Sequence, residues 1–329
     1  MIRRREFITL LGGAAASWPL AARAQQARPV IAFLRAGSGP LSPDESAFWK
    51  GLGETGYVEG QNVTIEYHPL EGQYESLPTL VAGLVARHVA VIATPGFSTT
   101  PTVTVAKATG GAIPIVFGVG GDPVRLGLVT SLARPGGNAT GVNFFVGGVV
   151  TKRFGLLHDL VPSALRVGVM VNPNNPSQTE ETLAQLNEAA RVLGLQLQIF
   201  NAGTNREIDT AFETIARDHC DALFVGPDAF FASRRVQFAT LAARDHLPAS
   251  YSTRQYVEVG GLMSYGTSLT EMFRQVGVYA GRILNGAKPA ELPVVQSTKF
   301  EFVINLQTAR ALGIAVPSGV LASADEVIE

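Results

Sequence analysis

A single cysteine in 329 residues, Cys220, permits no internal disulfide and no multi-cysteine metal site. It stands between a helical run and the apolar stretch 222–225, where it is expected as a small packed residue and not as a reactive thiol. The histidines are scattered (His68, His88, His158, His219 and His246), and none is paired at the helical spacing that zinc requires. No Gly-x-Ser-x-Gly elbow is present, since Gly261-Leu262-Met263-Ser264-Tyr265-Gly266 has the wrong spacing. The run Gly118-Val119-Gly120-Gly121-Asp122-Pro123 has Pro123 where a dinucleotide-binding loop needs its third glycine, and no phosphate loop ends in Lys-Ser or Lys-Thr. No catalytic residue, metal or cofactor is therefore expected. Charge is scarce as well, at 16% of residues with a formal net charge of -1, so a nucleic-acid partner is not expected. The 46% of hydrophobic residues excludes a disordered chain.

The first 24 residues read as an address. Arg3-Arg4-Arg5 precedes the apolar run Leu10–Ala16 and the small-residue end Ala22-Arg23-Ala24, an A-x-A cleavage pattern that would leave Gln25 first. Arg4-Arg5-Glu6-Phe7-Ile8 also fits the twin-arginine pattern, and the choice between that route and general secretion stays open. The apolar run is shorter than the ~20 residues that span a bilayer, and Trp18-Pro19 interrupts it. Export to the periplasm as a chain not inserted in the membrane is expected. Four of the 26 basic and one of the 27 acidic residues lie in this segment, which leaves 22 against 26, a net charge of -4. That mild acidity favours solubility.

From Pro29 onward, strands and amphipathic helices alternate. Val30–Leu34, Val63–Tyr67, Val89–Ala93 and Ile113–Phe117 read as strands. Helices are expected after Ser42-Pro43-Asp44-Glu45, a capping box, and over 74–87, with Leu77, Leu80, Val81, Leu84 and Val85 on one face. After the turn at Arg134-Pro135-Gly136-Gly137-Asn138 the same grammar restarts. Strands are expected at 166–171, 195–200 and 223–225. Helices are expected at 182–193 behind Ser177-x-x-Glu180, behind Thr204-x-x-Glu207, at 233–243, and from Ser268-x-x-Glu271 to about 284. The fold class this implies is α/β, with two doubly wound parallel-sheet lobes.

In such sheets ligands bind at the carboxyl ends of the strands. That rule selects the loop holding Ser38, and the loop Thr94-Pro95-Gly96-Phe97-Ser98-Thr99-Thr100, where Ser98 or Thr99 either grips a carboxylate or caps a helix. It also selects Asp122, as a turn former or a partner for an ammonium group, and Asn174 in the segment 172–176. Asp228 is the favoured carboxylate for a substrate amine, with an N-cap role as the alternative. Phe144, Phe230, Tyr251 and Tyr265 lie in or beside these loops as candidate stacking groups.

With these residues laid out, the chain resembles a bacterial family of ABC transporter substrate-binding proteins, the one with tryptophan- and other aromatic amino-acid-binding members. The stretches that carry the resemblance run from Gly51 to Asn62, Ile113 to Phe117, Asp122 to Val124, Leu132 to Gly141, Gly260 to Gly266, and through Lys299–Leu306 to the end. The resemblance implies a type I periplasmic-binding-protein fold whose lobes, joined by three crossings, close on a ligand. The lobes are expected over 28–142 plus 266–290 and over 143–265 plus 298–329. Crossings are placed near Thr140–Phe144, Gly260–Gly266 and 288–298. Ligand contacts carry over to Thr94, Gly96, Phe97, Ser98, Thr99, Asp122, Asn174, Asp228 and Tyr265. The implied partners are a small solute, an amino acid or a relative of one, and an inner-membrane ABC permease, with the chain itself a monomer. A periplasmic sensor and an exported enzyme stand as the competing readings.

Overall fold

The computed structural model describes residues 28–35, 41–70, 74–96, 99–144 and 149–329. The expected export segment, Ser38, Phe97 and Ser98 lie outside the described residues.

Six strands form the first sheet: β1 (Val30–Arg35), β2 (Thr64–Pro69), β3 (Val91–Thr94), β4 (Ile115–Val119), β5 (Ala139–Asn143) and, from far along the chain, β11 (Val295–Gln296). Their order is β11-β5-β4-β3-β1-β2, with every pairing parallel. The second sheet takes β6 (Arg166–Val171), β7 (Gln196–Asn201), β8 (Ala222–Val225), β9 (Ala249–Tyr251), β10 (Met263–Thr267), β12 (Phe300–Asn305) and β13 (Glu326–Ile328). Its order is β13-β12-β10-β9-β8-β6-β7, and only the β10–β12 pairing is antiparallel. Each sheet thus repeats one plan: its first strand lies between its second and third, so the order reverses beside that strand. The continuous apolar run of β4, buried at every position, is what a parallel strand covered on both faces requires.

The helices that matter for the site open at the carboxyl ends of these strands. Helix α1 (Pro43–Gly53) begins with the expected capping box, in which Ser42 Oγ accepts from Glu45 N and the Glu45 carboxylate accepts from Ser42 N. The same carboxylate receives a two-pronged pair from Arg35, at 3.0 and 2.9 Å, which ties the helix start to the end of β1. Helix α2 (Leu77–Ala86) buries Leu77, Val81 and Leu84, and α3 (Thr99–Ala108) follows β3. In the second lobe α4 (Val149–Leu160) precedes β6, and α5 (Pro176–Leu193) follows it. Ser177 is therefore inside α5, and Asn175 holds the cap position without a side-chain bond. The helix starts one residue before Ser177, at Pro176, which suits the first turn. Helices α6 (Asn205–Arg217), α7 (Ala229–Ser233), α8 (Arg235–Arg244) and α9 (Arg254–Glu258) complete this lobe's front half, so the single helix expected at 233–243 is a short turn followed by a longer helix.

Helix α10 (Leu269–Leu284) leaves the second sheet and packs on α1 of the first lobe. Glycines make the approach possible. A Cβ on Gly277 would sit 2.1 Å from the Phe48 carbonyl oxygen, and one on Gly51 would sit 1.8 Å from that of Arg274. The chain passes from one sheet to the other three times: between Asn143 and Val149, at Thr267–Ser268, and over Ser297–Lys299. Residues 266 and 267 thus end a strand of the second sheet, and Val295–Gln296 belong to the first sheet, beyond the limit of 290 read from the sequence. The segments 140–143 and 263–266 are strand rather than crossing: the first is buried throughout and pairs with β4, and the second pairs with β12.

Candidate functional site

The two sheets present their carboxyl ends to each other. Asp44, at the start of α1 in the first lobe, accepts a hydrogen bond from Thr270 of α10 and another from Gln255, at the start of α9 in the second lobe. Both helices follow strand ends, so the loops after β1 and β9 meet across a cleft. Asp44 is 8% exposed, and its carboxylate is fully engaged at this junction. A second tie joins the crossings, where Thr267 Oγ1 donates to the Phe144 carbonyl at 3.3 Å.

In the first lobe, the sheet order reverses between β1 and β3. Thr94 ends β3, is 1% exposed, and keeps a buried hydroxyl without a hydrogen-bond partner. Gly96 follows with φ +70, the left-handed region that lets the chain turn back from the strand. Thr99 opens α3. Asp122, after β4, accepts from Val124 N at 2.8 Å and from Arg125 N at 3.3 Å through one oxygen, so it forms the turn that follows the strand. The glycine run before it serves packing: a Cβ on Gly118 would meet Met272 Sδ at 2.4 Å, and one on Gly120 the Phe144 ring at 3.1 Å.

In the second lobe, the reversal lies between β6 and β8, and two segments singled out from the sequence meet there. Asp228 caps α7 through Oδ1, with Phe230 N at 2.9 Å and Phe231 N at 3.3 Å. The same carboxylate accepts from Asn172 Nδ2 at 3.0 Å and from Asn175 Nδ2 at 3.1 Å. Beside this cluster is a cavity of about 10 Å³, room for at most one water, lined by Asn172, Asn175, Thr179 and Asp228. Asn174 is exposed and its amide leans over Gly203, on the side of the β7–α6 connection. Tyr265 stacks on Phe300 at 6.1 Å and meets Phe302 edge-on at 6.3 Å, which makes it part of the sheet's aromatic packing. Tyr251 is fully buried and stacked on Tyr256 at 4.5 Å; burial pushes both phenols up, and the Tyr251 hydroxyl has no partner. The structure thus gathers Asp228 with Asn172 and Asn175, sets Thr94 and Gly96 on the opposite lobe, and places Asp122 in a turn and Tyr265 against Phe300 and Phe302.

One buried group was not singled out from the sequence. Arg153, on α4, is 0% exposed, donates from Nη2 to the Val225 carbonyl at 2.8 Å, and lies 4.0 Å over the Phe224 ring. The signal was present: an arginine in the stripe shared by Val150, Phe154 and Leu157, which reads as the buried face of a helix.

A protein-family model for ABC transporter substrate binding proteins matches residues 38–328. The chain belongs to that family. Among curated relatives of this substrate-binding protein is a tyrosine-binding protein of Clostridioides difficile (strain R20291), 25% identical over 272 residues, which are 83% of this chain and 77% of that one. Among solved structures, an ABC domain from Streptococcus pneumonia in complex with L-Trp is 28% identical, with a TM-score of 0.78 over 92% of this chain and 100% of that one. The ligand-free, open form of a substrate-binding protein with adhesive properties from Clostridium difficile is 25% identical, with a TM-score of 0.68 over 92% and 99% of the two chains. The substrate-binding protein described here is therefore the ligand-capturing component of an ABC transporter. No helix among its described residues is long and apolar enough to cross a membrane.

Proposed function

We propose that this substrate-binding protein captures an amino acid, of the aromatic or a related class, between its two lobes outside the cytoplasmic membrane, and delivers it to the permease of an ABC importer. The observation that carries this reading is the way the lobes meet: two sheets whose first five strands share one order, in contact where Asp44 meets Gln255 and Thr270, with the order reversals supplying loops from both sides. The family match, the tryptophan complex and the curated tyrosine-binding relative support it. The segment 1–24 acts as the export signal in this reading, and the chain works as a monomer without catalytic turnover. Isothermal titration of the chain from Gln25 onward, stripped by partial unfolding and refolding, tests the ligand class. One amino acid is expected to bind at one site per chain and to be recovered unchanged. Binding of sugars alone, or conversion of the added solute, would contradict the proposal.

A further inference from the structure

The Arg153 guanidinium is the least satisfied charge in the described structure. Its Nε and Nη1 are buried with no hydrogen-bond partner, and among the described residues no carboxylate forms an ion pair with it. Nη2 alone is used, on the Val225 carbonyl. Burial pushes its pKa down to about 9, opposed only by Tyr256. Interiors tolerate a buried charge when an opposite charge and a full set of hydrogen bonds accompany it, and this one has a single hydrogen bond and no ion pair among the described residues.

Its position says what is missing. Val225 is the last residue of β8, immediately before the Gly226-Pro227-Asp228 loop at the second lobe's order reversal. Helix α4 is the first element after the crossing from the first lobe. The guanidinium therefore lies at the carboxyl end of β8, beside the start of the loop at the second lobe's order reversal. Phe224, the ring it covers, is in register with Ser250 on β9, and residues in register on parallel strands share a sheet face. Ser250 is 0% exposed, and its hydroxyl also has no partner. Two unused polar groups thus occupy one layer at one strand end.

We propose that Arg153 is the anion subsite of the cleft, its free Nε and Nη1 receiving the carboxylate of the bound solute once the lobes admit it. A guanidinium fork suits a planar carboxylate, and charged partners strengthen each bond. The subsite accounts for retaining an arginine on a stripe where leucine or methionine would otherwise pack. It rests on the cleft being the amino-acid site, and the test separates the two claims.

The bare group can be probed without knowing the ligand. Acetate, against acetamide as its neutral isostere, is titrated into the native chain and into Arg153→Met and Arg153→Lys, with the unfolding midpoint as readout. Acetate is expected to raise the native midpoint by about 2 °C or more over acetamide, with the difference lost in Arg153→Met and reduced in Arg153→Lys. Should Arg153→Met fail to fold, Arg153→Lys and Ser250→Ala carry the comparison. An acetate-specific shift that is the same in the native chain and in a folded Arg153 variant overturns the subsite, as does its absence from the native chain. For any amino acid that the native chain binds, Arg153→Met is expected to weaken the acid about 100-fold and its amide less than about twofold. If no amino acid binds, the functional reading fails, while the acetate arm still decides whether Arg153 receives a carboxylate.

Discussion

Asp228 shows how a residue chosen for ligand chemistry can be fixed by local structure. Four donors converge on its carboxylate: two backbone amides of α7 and the amides of Asn172 and Asn175. Asp228→Ala removes a helix cap and leaves those amides without an acceptor, so it is expected to cost about 2–3 kcal/mol of stability before any ligand is added. Urea unfolding of the ligand-free variant checks this, and an unchanged midpoint would show that the cluster carries no load. Three of the five histidines find their explanation at the same scale. His88, His219 and His246 have φ of 55, 53 and 51 and stand two residues past the ends of α2, α6 and α8. These are the left-handed positions where helices commonly end in glycine. Replacing each by Gly is expected to stabilise the chain by roughly 0.5–1 kcal/mol, because the strain of a side chain in that region outweighs the added freedom of the unfolded state. Chemical unfolding measures each shift, and destabilisation at all three would contradict it.

At the scale of elements, capping patterns and apolar periodicity made β1–β4, β6–β8, α1, α2, α5, α6, α8 and α10 legible, while β5 and β10 read as crossings. The boxes at Ser42 and Thr204 sit at helix starts, as their spacing implies, although Glu207 accepts from Gly203 N and not from the cap residue. In helix α4 the apolar stripe of Val150, Phe154 and Leu157 is present in the sequence but masked by Arg153 within it and Lys152 beside it. The irregularity that hid the helix is the feature on which the anion subsite rests. The lobe to which α10 belongs could be read only from the family likeness. Local pattern shows that Leu269–Leu284 is an amphipathic helix, but its partner α1 lies more than 200 residues earlier, and the contact depends on glycines facing backbone. Gly277→Ala places a methyl group against the Phe48 carbonyl and is expected to cost about 2–3 kcal/mol through overpacking. A thermal midpoint unchanged by that substitution would mean that the two helices separate freely.

At the scale of the whole molecule, the parallel pairing of the strands follows from the alternation of strand and helix, which is visible in the residues themselves, while their repeated order is not. The two sheets facing one another across Asp44 and Gln255 are a property of the assembled chain that no local pattern encodes. The candidate site was legible to the extent that it follows strand ends: Thr94, Gly96 and Asp228 lie where a doubly wound sheet places ligand loops. Side-chain direction was not legible: Tyr265 packs on Phe300 and Phe302, and the exposed Asn174 leans toward Gly203. The central claim is that the lobes close on an amino acid. Small-angle scattering of the stripped chain, with and without saturating L-tyrosine, L-tryptophan and the remaining amino acids in turn, tests it most directly. The account predicts that one amino acid class reduces the radius of gyration as the lobes close, while sugars leave it unchanged. A chain that keeps the same dimensions with every amino acid, or that contracts only with a sugar, would contradict it.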